Sequence, residues 1–188
     1  MDDVIERIDR ALGATAAVVE GIGAAHLAAP SPCPGWDVRD ELNHLVGGMR
    51  IFAAELAGTA AGADHDADWL GGDPQAAFAR AAGLDRAVWR RPDALQGTVR
   101  LGFGEVPAPM AALIHLTEVL VHGVDLAVAT GQDALADDPA CEHLLAVMQG
   151  MDFGAFRRPG MFGPERTAPA GAPAHVRLLA FLGRDLDR

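Results

Sequence analysis

The sequence predicts an all-α fold: a four-helix bundle with one long crossover between the second and third helices, extra helical pieces after Gly131, and a short β-hairpin before the fourth helix. Three observations predict it. Half of the 188 residues are hydrophobic, yet only 5% are aromatic and Tyr is absent. A core of Ala, Leu and Val suits packed helices better than a β-sandwich. Apolar residues recur at helical spacing in segments punctuated by Pro and Gly. Residues 109–132, PMAALIHLTEVLVHGVDLAVATGQ, are apolar nearly all round, as a buried helix is.

The first helix is expected over 3–27. Asp2 or Asp3 caps it, Val4, Ile5, Ile8 and Leu12 carry the period, and Ala29-Pro30 ends it. The loop SPCPGW follows. Asp37 then caps a second helix running to about Ala57, with Asp40 three residues on in a near capping-box arrangement. Its stripe is Leu42, Leu45, Met49, Phe52 and Leu56. Gly58–Gly72 has no apolar period and reads as the crossover. Asp73-Pro74 supplies an N-cap and a proline at the first helical position, and this third helix ends before Pro92. Residues 95–106 alternate as a hairpin does. Pro107 and Pro109 lead into the fourth helix, which stops near Gly131. Asp138-Pro139 opens another helix to about Met151. Residues 154–173 are irregular, and AHVRLLAFL is a final short helix ending at Gly183.

The formal net charge of −11 argues against a nucleic-acid backbone as partner, which needs clustered Lys and Arg. Two cysteines, Cys33 and Cys141, make no disulfide framework, and a reducing cytoplasm is the simpler expectation. The segment MDDVIERIDR lacks the basic and apolar regions of a signal peptide. Residues 109–132 are long enough to span a bilayer, but four ionisable groups and the lack of flanking Lys or Arg argue against it.

Those four groups are not scattered. At roughly 100° per residue, His115, Glu118, His122 and Asp125 fall within an arc of about 80°. A buried carboxylate must be paired, protonated or metal-bound. Glu118 and His122, four apart, stack one turn from each other, the geometry for two ligands on one ion. The bland alternative is a surface helix with an exposed pair worth about 0.2–0.5 kcal/mol. Periodicity by itself makes His44 a solvent-edge histidine of the second helix, on a side shared with Gly47, Gly48 and Ile51. The two glycines leave room there for close approach.

SPCPGWDVRDELNHLVGG resembles the start of the second helix in the DinB-like metal-binding bundles. The closer resemblance is to their actinobacterial branch, the N-terminal domain of mycothiol-dependent maleylpyruvate isomerase. HLTEVLVHGVDLAVATGQ resembles that branch's fourth helix, and RLLAFLGRD its C-terminus. The resemblance implies that His44, Glu118 and His122 bind one divalent metal ion. Many related bundles use three histidines, whereas position 118 here is Glu. It also implies a bundle over 1–132, with 133–188 as a helical extension on the same domain. The residues after Gly131 are too few for the separate C-terminal domain of some relatives.

Two imidazoles and a carboxylate leave at least one open coordination position, as catalytic sites do, and suit Zn²⁺ and also Ni²⁺, Fe²⁺ or Mn²⁺. A low-molecular-weight thiol, mycothiol by resemblance, would be activated there against a small-molecule electrophile, as an isomerase or transferase. A non-catalytic metal-binding module and a metal-dependent hydrolase are the alternatives, and a monomer or homodimer is expected. Asp125 would orient a ligand from behind or bond backbone. His115 would be a further ligand, a proton carrier or a satisfied core histidine, the last favoured. Cys33 reads as an inert thiol before a nucleophile, and Trp36 as packing for its loop. Arg39, Arg50 and Arg100 are candidates for an anionic substrate, with solvation the default.

Overall fold

The computed structural model describes residues 4–59, 67–158 and 160–186. Among them are six α-helices and one two-stranded antiparallel sheet. The expected caps Asp2 and Asp3, and the middle of the crossover, lie outside the described residues.

Helix α1 spans Val4–Glu20 and buries Ile8, Ala11, Leu12, Thr15, Val18 and Val19. It is shorter than the expected 3–27, and Ala24–His26 forms a separate 3₁₀ turn. The break has a partly tertiary cause. A Cβ on Gly21 would stand 2.1 Å from Gln132 Oε1. The Gln132 amide donates to the Val18 carbonyl at 3.0 Å, and that of Gln75 to the Glu20 carbonyl at 3.0 Å. Side chains from distant segments thus satisfy carbonyls that end a helix.

Helix α2, Val38–Leu56, starts as expected. Asp37 accepts from the Asp40 backbone N–H and Asp40 reciprocates. The SPCPGW loop folds back before it, with Ser31 N–H donating to Trp36 O at 3.0 Å and Gly35 at φ +85°. The end of the crossover lies on α2. The Trp69 ring occupies the place a Cβ on Gly47 would take, at 2.7 Å, and the Trp69 backbone N–H donates to Asn43 Oδ1. One of the two glycines therefore makes room for the protein's own chain.

Helix α3 is Pro74–Trp89, capped by Asp73. Strands β1, Thr98–Leu101, and β2, Gly104–Pro107, pair with Val99 opposite Val106. Helix α4, Ala108–Ala129, follows directly, then α5, Asp138–Gln149, and α6, Ala174–Phe181.

Helix α1 packs on α4 and α3, and α2 on α3 and α4. The α1–α4 approach needs Gly123, where a Cβ would stand 2.1 Å from Thr15 Oγ1. Helices α5 and α6 pack on each other and on α4. Helix α4 is long and apolar enough to cross a bilayer, but 72% of its most apolar window is buried within the fold. Its apolar surface is used up by its neighbours.

Candidate metal centre

The polar stripe of α4 divides between two neighbours. His115, nearest the start, is buried against α3, its Nε2 2.8 Å from Asp85 Oδ2. Its ring lies 4.4 Å from that of Phe52 and 5.5 Å from that of Trp89. This is the core histidine favoured from sequence.

Further along, Glu118 and His122 meet α2. Glu118 Oε2 lies 3.1 Å from His44 Nε2 and 3.4 Å from His122 Nε2. The His44 and His122 rings are 4.9 Å apart, edge to face, and Trp36 lies 4.8 Å from one and 5.7 Å from the other. His44 and Glu118 keep about a third of their side-chain surface exposed. The solvent-edge position expected for His44 is thus its real position, and solvent there is a cavity.

The other side of His122 is closed. Its Nδ1 stands 2.7 Å from Glu41 Oε1, and the second Glu41 oxygen accepts from the Ser31 hydroxyl. Glu41 is fully buried. Asp125 is 3.8 Å from the same Nδ1, and its main partner is Arg184, whose Nε donates to Oδ2 at 3.0 Å. The role considered for Asp125, orienting His122, is therefore held chiefly by Glu41, a residue the sequence reading passed over. Its signal was available: it precedes His44 by three residues on an otherwise apolar face.

Charge follows from this layout. Burial works against ionisation of Glu118, but hydrogen bonds from His122 and His44 outweigh it and hold the carboxyl far below the usual range. Burial likewise disfavours His122 as a cation, yet its bonds to Glu118 and Glu41 raise it to about 10. Burial, with Glu41 close by, pushes Asp125 well above its ordinary value despite Arg184. Cys33 is half-buried, and burial pushes its thiol up to about 12. A thiol so hard to ionise is a poor nucleophile.

A cavity of about 750 Å³ opens over this cluster, walled by Cys33, Pro34 and Trp36, residues 157–158 and 160–164, and residues 182–184. The irregular 154–173 stretch therefore has a task. Arg157 pins the wall by donating to the carbonyls of Gly163 and Phe181, its guanidinium over the rings of Phe153 and Phe181. Arg158 and Arg184 also line the cavity. The arginines nominated from sequence do not. Arg39 pairs with Asp68, Arg50 lies over Trp69, and Arg100 pairs with Glu105 across the hairpin. Of the three arginines that do line it, Arg184 is paired with Asp125 and Arg157 lies 3.8 Å from Glu165.

The three ligand-type atoms can be tested against an ion. Atoms each about 2.1 Å from one metal stand roughly 3.0–3.5 Å from each other. The two contacts to Glu118, 3.1 and 3.4 Å, fall in that range, and one ligand atom from each of His44, Glu118 and His122 lies within 4.8 Å of the others. An imidazole tied to a carboxylate through its second nitrogen, as His122 is to Glu41, is the usual support of a metal-binding histidine. The residues fit a divalent ion.

Comparison with known proteins agrees with the fold. Two uncharacterized proteins of Mycobacterium tuberculosis, from two strains, are each 33% identical over 176 residues, covering 93% of this chain and 94% of theirs. The crystal structure of a histidine-to-alanine mutant of the mycothiol-dependent maleylpyruvate isomerase superposes with a TM-score of 0.51 at 17% identity. That match covers 66% of this chain and 61% of the other, so this chain spans less than two thirds of that protein. Residues 8–127, which include the three converging side chains, match the family described as mycothiol maleylpyruvate isomerase N-terminal domain. The chain belongs to that family.

Proposed function

We propose that this protein binds one divalent metal ion through His44, Glu118 and His122 and uses it to activate a low-molecular-weight thiol, mycothiol by family, for transfer to or isomerisation of a small electrophile. In this reading α1–α4, within 1–132, are a four-helix bundle of DinB-like type, and 133–188 is an extension that walls the site. The observation that carries the proposal is the convergence of His44 Nε2 and His122 Nε2 on one Glu118 oxygen, at the floor of the cavity. The donor set favours Zn²⁺ and admits Ni²⁺, Fe²⁺ or Mn²⁺.

A bound ion supplies Lewis acidity that ionises a thiol whose free pKa is near 8.5. The protein's own groups do the rest. Glu41 holds the His122 ring in one orientation and one tautomer, leaving Nε2 for the site. Trp36 covers both imidazoles and limits water on that side. Arg158 attracts an anionic partner to the cavity, which at about 750 Å³ has room for a cofactor-sized molecule. Cys33 takes no part in the chemistry, since its own thiol stays protonated.

The test is turnover. Purified protein loaded with Zn²⁺ should consume a small electrophile saturably, and only with added low-molecular-weight thiol. Turnover without thiol would favour a hydrolase, and stoichiometric metal with no turnover a binding module. A pH dependence follows as well. In the metal-free protein His122 carries its proton up to about pH 10. A metal must displace that proton, so affinity should rise with pH by roughly tenfold per unit between pH 6 and 8. Calorimetry in buffers of different ionisation enthalpy should detect the released proton. An affinity independent of pH would contradict the assignment of His122 as a ligand.

A further inference from the structure

A second cavity of about 210 Å³ also borders His44 and Glu118, between α2, α4 and the tip of the hairpin. Its chemistry is unlike that of the first. The wall is Leu45, Met49, Ile51, Phe52, Leu101 and Ile114. The only ionisable groups among its lining residues are His44, Glu118 and His115; no Lys or Arg takes part. Phe103, at the hairpin tip, lines it while keeping 67% of its surface exposed.

The space is kept open by a specific residue. Gly48 lies one turn after His44 and lines the cavity, and a Cβ built on it would meet nothing within 4 Å. A glycine inside a helix weakens it relative to alanine, and no packing neighbour of Gly48 requires one, in contrast to Gly47 against Trp69. Apolar space left unfilled forfeits dispersion contacts. An occupant would restore them.

We propose that this second cavity is a binding subsite for the apolar part of the small-molecule partner, and that it takes one uncharged six-membered aromatic ring. The proposal rests on the thiol-activating reading above. Size fits a single ring, since an apolar space of roughly 150 Å³ accepts benzene. The lining does not favour an anion: among the described residues no Lys or Arg borders this space, and the Glu118 carboxylate does. An aromatic ring is matched by the rings of Phe52 and Phe103 and by the Met49 thioether. The ring then lies against His44 and Glu118, which also border the larger cavity.

Toluene is the probe, read by ligand-observed NMR titration of the Zn²⁺-treated wild type, Gly48→Leu, Gly48→Ala and Ile114→Ala, with metal content measured on each sample. Wild type should bind toluene, and Gly48→Leu, which fills the space while leaving both His44 and Glu118 in the chain, should bind it roughly tenfold more weakly or worse. Gly48→Ala should keep most of the affinity. Ile114→Ala, which enlarges the cavity, should shift preference from toluene towards naphthalene and keeps the test open if Gly48→Leu folds poorly. Equal affinity of wild type and folded Gly48→Leu for toluene overturns the pocket. Equal binding of methylcyclohexane and toluene overturns the aromatic assignment. Stoichiometric metal without toluene binding defeats this inference alone, whereas toluene binding without metal defeats the metal reading and leaves the pocket standing.

Discussion

His44→Ala, Glu118→Ala and His122→Ala are each expected to abolish the metal-dependent rise in melting temperature, whereas His115→Ala keeps most of it. A ligand that binds only the folded state stabilises it by about 2.7 kcal/mol at a hundredfold excess over Kd. For a chain of this length each kcal/mol moves Tm by roughly 2–4 °C. Wild type should therefore gain roughly 5–10 °C with Zn²⁺ and lose it to a chelator. The apo fold should survive, because the ion ties α2 to α4 at one point while a continuous Ala/Leu/Val core joins them elsewhere. Basal stability will shift among the variants. His122→Ala strips Glu41 of one of its two buried partners, and His115→Ala leaves Asp85 without its own. The informative quantity is the difference with and without metal for each variant. Glu41→Gln adds a graded case: losing the carboxylate behind His122 should weaken metal binding roughly 10–100-fold without removing a ligand. Elemental analysis with paired melting curves measures all of this. A wild type lacking a near-stoichiometric divalent ion, or a His115→Ala protein that loses its shift like the other three, would sink the ligand assignment.

Arg184→Ala should be among the most destabilising single changes in the chain, by about 3–5 kcal/mol or roughly 6–20 °C in Tm. Arg184 and Asp125 form a buried pair, with side chains 5% and 0% exposed. Both the Nε and a terminal nitrogen of Arg184 reach Asp125 Oδ2 at 3.0 Å. Truncating the arginine leaves a carboxylate in the core beside Glu41, with no cation to offset it except His122. The carboxyl can escape by taking a proton. Its folded-state pKa already lies above the ordinary value, so protonation favours the folded form as pH falls. The Arg184→Ala deficit should thus be largest near neutral pH and shrink on acidification. Replacing both partners, Asp125→Leu with Arg184→Met, should recover most of the loss, because an apolar pair needs no charge compensation. Denaturant melts at two pH values check this. An Arg184→Ala protein as stable as wild type would show that the pair holds nothing together.

Much of this protein is legible in one dimension. Local chemistry settles the helices: the Asp37–Asp40 box starts α2, Asp73-Pro74 starts α3, and Pro107 and Pro109 mark the passage from hairpin to α4. Mostly helical architecture, with six α-helices and one small hairpin among the described residues, follows from period and punctuation. So does the polar arc of α4, because side chains four apart on a helix must share a face. Tertiary structure decided what that arc does. Nothing in the spacing could divide it between Asp85 on α3 and His44 on α2, since the partners lie 30 and 74 residues away. Nor could it set Glu41 behind His122, or choose Arg158 and Arg184 over Arg39, Arg50 and Arg100 for the cavity wall. The end of α1 belongs partly to the same class, since amides from Gln75 and Gln132 join the local bonds from Gly21 and Ile22 in satisfying its last carbonyls. Periodicity encodes which face of an element is buried; which groups meet across that face depends on how the elements pack, and a buried charge takes whichever partner the packing brings within reach.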